Sequence, residues 1–222
     1  MNNSISPRII PLGAGMPRRG NALSQRFGIF LLWLTGWKVS GILPDTKKAV
    51  VIVAPHTSNY DAVVVVGAIL ALRMKVSFFV KHSAFRWPFG GIMRWFGALP
   101  VQRDDSQDLV GFSAQKFAEK DELLLAAAPE GTRHAASHWK TGFYWIAMRA
   151  QVPVVMVGLD YAKKEIVILK TLMPSGDIDA DMAVIIRRYR GIAARRPERL
   201  SAPLRSLQKK PPQDGSDQTR AD

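Results

Sequence analysis

Ala49-Val50-Val51-Ile52-Val53-Ala54-Pro55-His56-Thr57-Ser58-Asn59-Tyr60-Asp61 sets six apolar residues against a proline and then a polar run. The six do not alternate with polar residues, so the segment reads as a strand covered on both faces, as in a parallel sheet between helical layers. Pro55 has no N–H to donate to a sheet ladder, and it marks the strand's end. Asp61 then introduces an apolar helix over Ala62 to Arg73, too short to cross a bilayer, which takes roughly 20 residues.

Working outward, the same grammar recurs. Val76 to Val80 reads as a strand and Leu99 to Gln102 as a short extended piece. Asp105 to Lys120 reads as a helix. Glu122 to Ala128 is a second buried run closed by a proline, Pro129. Val152 to Leu159 and Glu165 to Leu169 read as two strands joined by a hairpin through Asp160 to Lys164, and Ile178 to Arg190 reads as a helix. Alternating strands and helices predict a single α/β domain with a mixed, mostly parallel β-sheet flanked by helices. The expected boundaries are 45–192.

Outside those bounds the chain changes character. Residues 1–20, rich in proline and glycine, are expected to form a flexible basic arm. Residues 21–44 hold the apolar run Phe27 to Trp37, flanked by Arg26 and Lys38, with Trp33 and Trp37 near one end. About 11 residues is short for a span but suits a helix lying in the membrane interface, followed by a linker. Residues 193–222 are expected to be a basic, disordered tail.

Of 222 residues, 47% are hydrophobic, which is enough for a core and excludes general disorder. With no cysteine, disulfide frameworks and thiolate nucleophiles are excluded. The net charge of +13 is concentrated at the ends: residues 1–44 carry five basic and no acidic side chains, and Arg187 onward ten basic against four acidic. Basic ends around a nearly neutral body predict attraction to a polyanionic surface.

Both strand exits carry groups able to do chemistry, and ligands of α/β sheets commonly bind beyond strand ends. Histidine is the side chain whose ordinary proton affinity suits base catalysis near neutral pH, and a carboxylate on one ring nitrogen of His56 would free the other to take a proton. In one continuous helix His56 and Asp61 would lie about 140° apart; with His56 in the turn and Asp61 in the first helical turn they can meet. In Glu130-Gly131-Thr132-Arg133, glycine permits a tight turn, threonine supplies a hydroxyl and arginine a planar fork for phosphate or carboxylate. Lys140 is a further candidate for a substrate phosphate. Glu130, His134 and His138 have a spacing that would gather metal ligands on a helix, but Gly131 and Thr132 argue against a helix there, and no metal is expected.

Together, His56-x4-Asp61 and Glu130-Gly131-Thr132-Arg133 resemble the glycerolipid acyltransferase family, which includes the lysophosphatidic acid acyltransferases. The resemblance covers roughly residues 49–160. It implies that His56 is the general base, that Asp61 orients it, and that Glu130 to Arg133 bind the acceptor's phosphate. Leu99-Pro-Val-Gln-Arg103 stands where the family has its arginine-bearing second motif, which makes Arg103 another phosphate ligand, and Val152 to Val157 resembles the fourth motif. The sequence departs from the family at Val101-Gln102, His134 and Met156, which touches acceptor identity more than reaction type. The implied reaction moves a fatty acyl group from an acyl-CoA or acyl carrier protein thioester to a hydroxyl of a lysophospholipid such as 1-acylglycerol-3-phosphate. No cofactor is expected beyond that co-substrate, and no nucleic acid. The partners expected are the lysophospholipid and an anionic membrane surface, on the cytoplasmic face of a membrane, with peripheral or monotopic attachment. Competing readings are an O-acyltransferase for another lyso-lipid, such as a lyso-aminolipid, and a non-catalytic basic membrane- or nucleic-acid-binding protein.

Overall fold

The computed structural model describes residues 10–85, 90–101 and 109–208. The chain runs α1 (Ala22–Thr35), β1 (Lys38–Gly41), β2 (Lys48–Ala54), α2 (Tyr60–Leu72), β3 (Val76–Lys81), α3 (Gly90–Trp95) and β4 (Ala98–Val101). It continues through α4 (Leu109–Glu119), β5 (Leu123–Ala127), α5 (Gly142–Ala150), β6 (Val154–Asp160), β7 (Glu165–Ile168), α6 (Ile178–Arg188) and α7 (Ala202–Gln208). The seven strands form one sheet in the order β1-β7-β6-β2-β5-β3-β4. Every pairing is parallel except β6 with β7, the expected hairpin. This is the single α/β domain with a mostly parallel sheet that the strand pattern predicts.

Both faces of the sheet are covered, which explains why β2 lacks alternation. Ala49 and Val51 face one layer, built from α1, α2 and Met16; Val50, Ile52 and Ala54 face the other, with α5, α6 and α7. α1 and α2 cross closely at Gly28, where a Cβ would lie 2.4 Å from the Ala71 backbone nitrogen, so only glycine fits without a shift. α1 is capped by Asn21, whose side chain accepts from Ser24 N while the Ser24 hydroxyl accepts from Asn21 N.

Four expectations are corrected. The arm expected over residues 1–20 is packed from residue 10 in the described part: Arg18 bridges to Met74, Arg19 N donates to Arg73 O, and Met16 is buried. The sheet begins at Lys38, ahead of the expected domain start at 45, because β1 adds to the edge beside β7. Trp37 does not stand at an interface; it is buried edge-on against Tyr161, ring centroids 4.8 Å apart. The tail expected to be disordered from 193 returns to the core in its described part, burying Ala194, Leu200 and Leu204. α5 and α7 have no counterpart among the expected elements.

Candidate active site

β2 ends at Ala54, and a cis Ala54–Pro55 bond leads into the turn that presents His56. α2 starts at Tyr60, so Asp61 sits in its first turn, near the positive end of the helix dipole. His56 Nδ1 lies 3.1 Å from Asp61 Oδ2, with the imidazole 27% exposed and the carboxylate fully buried. An ionised carboxylate only accepts, so Nδ1 carries the proton and Nε2 keeps the free lone pair.

Asp61 is held by more than His56. Oδ2 also accepts from the N–H groups of Thr57 and Ser58, each at 2.8 Å, and Oδ1 accepts from the Ser58 hydroxyl at 2.9 Å and from the Tyr161 hydroxyl. Burial alone would push this carboxyl up; the hydrogen bonds from His56, Tyr161 and Ser58 outweigh it and hold it down at about 2. Asp61 is therefore a fixed negative charge across the range in which an acyltransfer would run. Tyr161 is pushed the opposite way, by burial and by donating to Asp61, and stays protonated. The N–H groups of Thr57 and Ser58 are consumed by Asp61, so the start of this turn does not offer them as oxyanion donors.

The second strand exit lies beside the first because β5 is the neighbour of β2. Glu130 is 3% exposed. Its Oε2 accepts from His56 N at 2.6 Å and its Oε1 from the Ser201 hydroxyl at 2.9 Å, while the same hydroxyl accepts from Trp139 Nε1 at 3.0 Å. Burial pushes the Glu130 carboxyl up, against the pull of the His56 N–H and Ser201. Glu130, expected among the substrate ligands, thus spends both oxygens inside the protein: it positions the His56 backbone.

Gly131 turns the chain at φ +64°, and Lys140 lies over it, its Cε 2.7 Å from where a Cβ would stand. Thr132 Oγ1 accepts from His134 N at 3.2 Å, and the Arg133 guanidinium donates to Asn59 Oδ1. Arg133 and Lys140 are exposed on the His56 side of the sheet. Arg103 lies outside the described residues, as do Arg86 to Phe89. Residues 128–141 form no helix, so Glu130, His134 and His138 do not share a helical face. Among the described residues no group of three histidine or carboxylate side chains is placed to hold a metal ion.

Two cavities flank the pair. One is an apolar groove of about 280 Å³ in which His56 and Asp61 meet Val53, Val65, Ile69 and Phe78. The other, about 360 Å³, is polar and lined by Ser58, Asn59, Tyr60 and Arg133, together with three arginines from the segment after α6: Arg195, Arg196 and Arg199. The turn of residues 56–61 is the wall between them. Tyr161, Ser201 and these three arginines carry no local motif; they are distant in sequence and reach the site only through the fold.

Comparison with known proteins bears on the family and the fold. The acyltransferase family profile matches residues 38–160. The fold resembles the crystal structure of the 1-acyl-sn-glycerophosphate (LPA) acyltransferase PlsC from Thermotoga maritima, with a TM-score of 0.57 and 19% identity over 77% of each chain. No curated protein matches the chain in sequence.

Proposed function

The chain belongs to the acyltransferase family, and from that premise we propose that it transfers a fatty acyl group from a coenzyme A or acyl carrier protein thioester to the hydroxyl of a lysophospholipid such as 1-acylglycerol-3-phosphate. The observation that carries this reading is the position of the His56–Asp61 pair, between an apolar groove and an arginine-lined cavity. An acyl chain has a place on one side of the turn, and a phosphate on the other.

In this mechanism His56 Nε2 removes the acceptor hydroxyl's proton as its oxygen attacks the thioester carbonyl. The tetrahedral intermediate collapses, the C–S bond breaks, and the imidazolium returns its proton to the departing sulfur. Asp61 holds the tautomer and offsets the imidazolium charge. General-base catalysis of this kind contributes about 10²- to 10⁴-fold, leaving positioning and oxyanion stabilisation to supply the rest. Arg133 and Lys140 orient the acceptor phosphate, and the resemblance to the family implies the same role for Arg103.

The substrates reside in membrane, since each buried methylene contributes ~0.8 kcal/mol. α1 offers a surface for that encounter. Leu23, Phe27, Phe30 and Leu34 recur at helical spacing and stand exposed, with Trp33 stacked on Phe30, while Gly28 and Leu32 face α2. Among the described residues no helix is long and apolar enough to cross a membrane. The reading is of peripheral or monotopic attachment to an anionic surface at its cytoplasmic face.

The test incubates purified protein with labelled acyl-CoA or acyl-acyl carrier protein and a panel of phosphorylated and phosphate-free lysolipids, comparing wild type with His56→Ala. Transfer that depends on His56 and prefers the phosphorylated acceptors is expected. Preference for a lyso-aminolipid would replace the acceptor assignment, and no transfer by folded wild-type protein would refute the catalytic one.

A further inference from the structure

Residues 192–201 follow α6 and, by charge alone, look like part of a solvated basic tail. The structure bolts them to the active site instead. Ala193 O accepts from Tyr161 N at 2.8 Å, Arg196 N donates to Thr57 Oγ1 at 3.3 Å, and Ser201 closes onto Glu130. Between Arg196 and Ser201 a short 3-10 turn spans Pro197–Arg199, and the Arg195 guanidinium lies 4.3 Å above the Tyr60 ring. Thr57 and Tyr60 are residues of the histidine turn itself, so this segment's arginines are held where the catalytic pair is held.

Four guanidiniums, those of Arg133, Arg195, Arg196 and Arg199, border one cavity of about 360 Å³ whose lining contains no carboxylate. Among the described residues none of the four forms an ion pair with an acidic side chain. Gathering like charges without acidic partners raises the potential of the cavity and favours a polyanion. Guanidinium forks match phosphate oxygens in pairs, and a single phosphate monoester does not engage four of them fully.

We propose that Arg195, Arg196 and Arg199 complete, with Arg133, a receptor for phosphate-ester groups, sized for more negative charge than the one phosphate of the acceptor described above. For the identity of the natural ligand the proposal rests on the acyltransferase reading; for the binding itself it rests on the cavity alone. Two substrates carry this chemistry: the nucleotide end of an acyl-CoA donor, with its diphosphate and additional phosphate, and the headgroup of a phosphorylated acceptor.

Calorimetric titration of the full chain with inorganic pyrophosphate tests the receptor without turnover. Saturable binding is expected, undiminished in His56→Ala and weakened at least tenfold in the combined variant R195Q/R196Q/R199Q. The R195K/R196K/R199K variant keeps the charge but loses the forks, so it is expected to fall between them; it also serves if the glutamine variant fails to fold. Steady-state kinetics then identifies the source: a tenfold or larger rise in KM for acyl-CoA assigns the donor, and the same rise for the lysolipid assigns the acceptor. Absence of pyrophosphate binding by wild type, or affinity unchanged in both combined variants, would overturn the proposal. If pyrophosphate binds through these arginines but no acyl transfer occurs with any acceptor, the receptor stands and the enzymatic reading fails.

Discussion

Asp61 accepts from five donors, of which His56 is one. Replacing it with asparagine puts an amide NH₂ where donors converge, so Asp61→Asn is expected to lower kcat by about 10²- to 10⁴-fold, measured in the labelled-acyl assay. Tyr161→Phe removes one donor and lets the carboxyl rise from about 2 toward its ordinary value. A depressed carboxyl contributes stability above its unfolded value, and loses it as pH falls through the folded one. The Tm gap between wild type and Tyr161→Phe is therefore expected to be widest near neutrality and to narrow between about pH 4 and pH 2; a gap independent of pH would contradict the role given to Tyr161. The pair itself was legible because H-x4-D is a local spacing that the turn and the first helical turn bring together. Tyr161 was not, since its place beside Asp61 depends on β6 lying next to β2. Glu130, expected to bind substrate, was not legible as a buried residue bonded to the His56 backbone, because a glutamate in a loop beside glycine gives no sign of its partner at Ser201.

Helix α1 meets α2 through Gly28, and a larger side chain there meets backbone rather than a movable side chain. Gly28→Leu is expected to destabilise the fold by about 1–3 kcal/mol, seen as a lowered denaturant midpoint. The segment leading into α7 is joined to the β5 exit through the Ser201 hydroxyl, which bonds both Glu130 and Trp139. Ser201→Ala leaves a buried carboxylate oxygen and an indole N–H without that partner; a loss of about 1–3 kcal/mol is expected by chemical denaturation, with a fall in transferase activity as His56 loses its brace. The buried strands were readable from continuous apolar runs. β1 was not, because Lys38-Val-Ser-Gly41 is a short edge strand with only Val39 buried. α7 was hidden by the arginine count around it, which masks how Ala194, Leu200 and Leu204 supply the apolar contacts that return the chain to the core.

At the scale of the whole molecule, the proposed function divides the labour of meeting an amphiphile between the exposed side chains of α1 and the arginine-lined cavity. The combined variant Phe27→Ser, Phe30→Ser, Trp33→Ser is expected to lose most co-sedimentation with anionic vesicles while still folding, because none of the three is buried. Charge contributes as well, so vesicle binding by wild type is expected to weaken as salt is raised above physiological strength. The basic ends predict an anionic partner from the sequence, but that Arg195, Arg196 and Arg199 line a cavity is visible only once residues 192–201 are seen against the histidine turn. That closure also bears on biosynthesis. A nascent chain that has threaded out β2 and β5 but not yet Ser201 possesses the full linear motif and lacks the contact that seats Glu130, a contact that forms only after all seven strands have been synthesised.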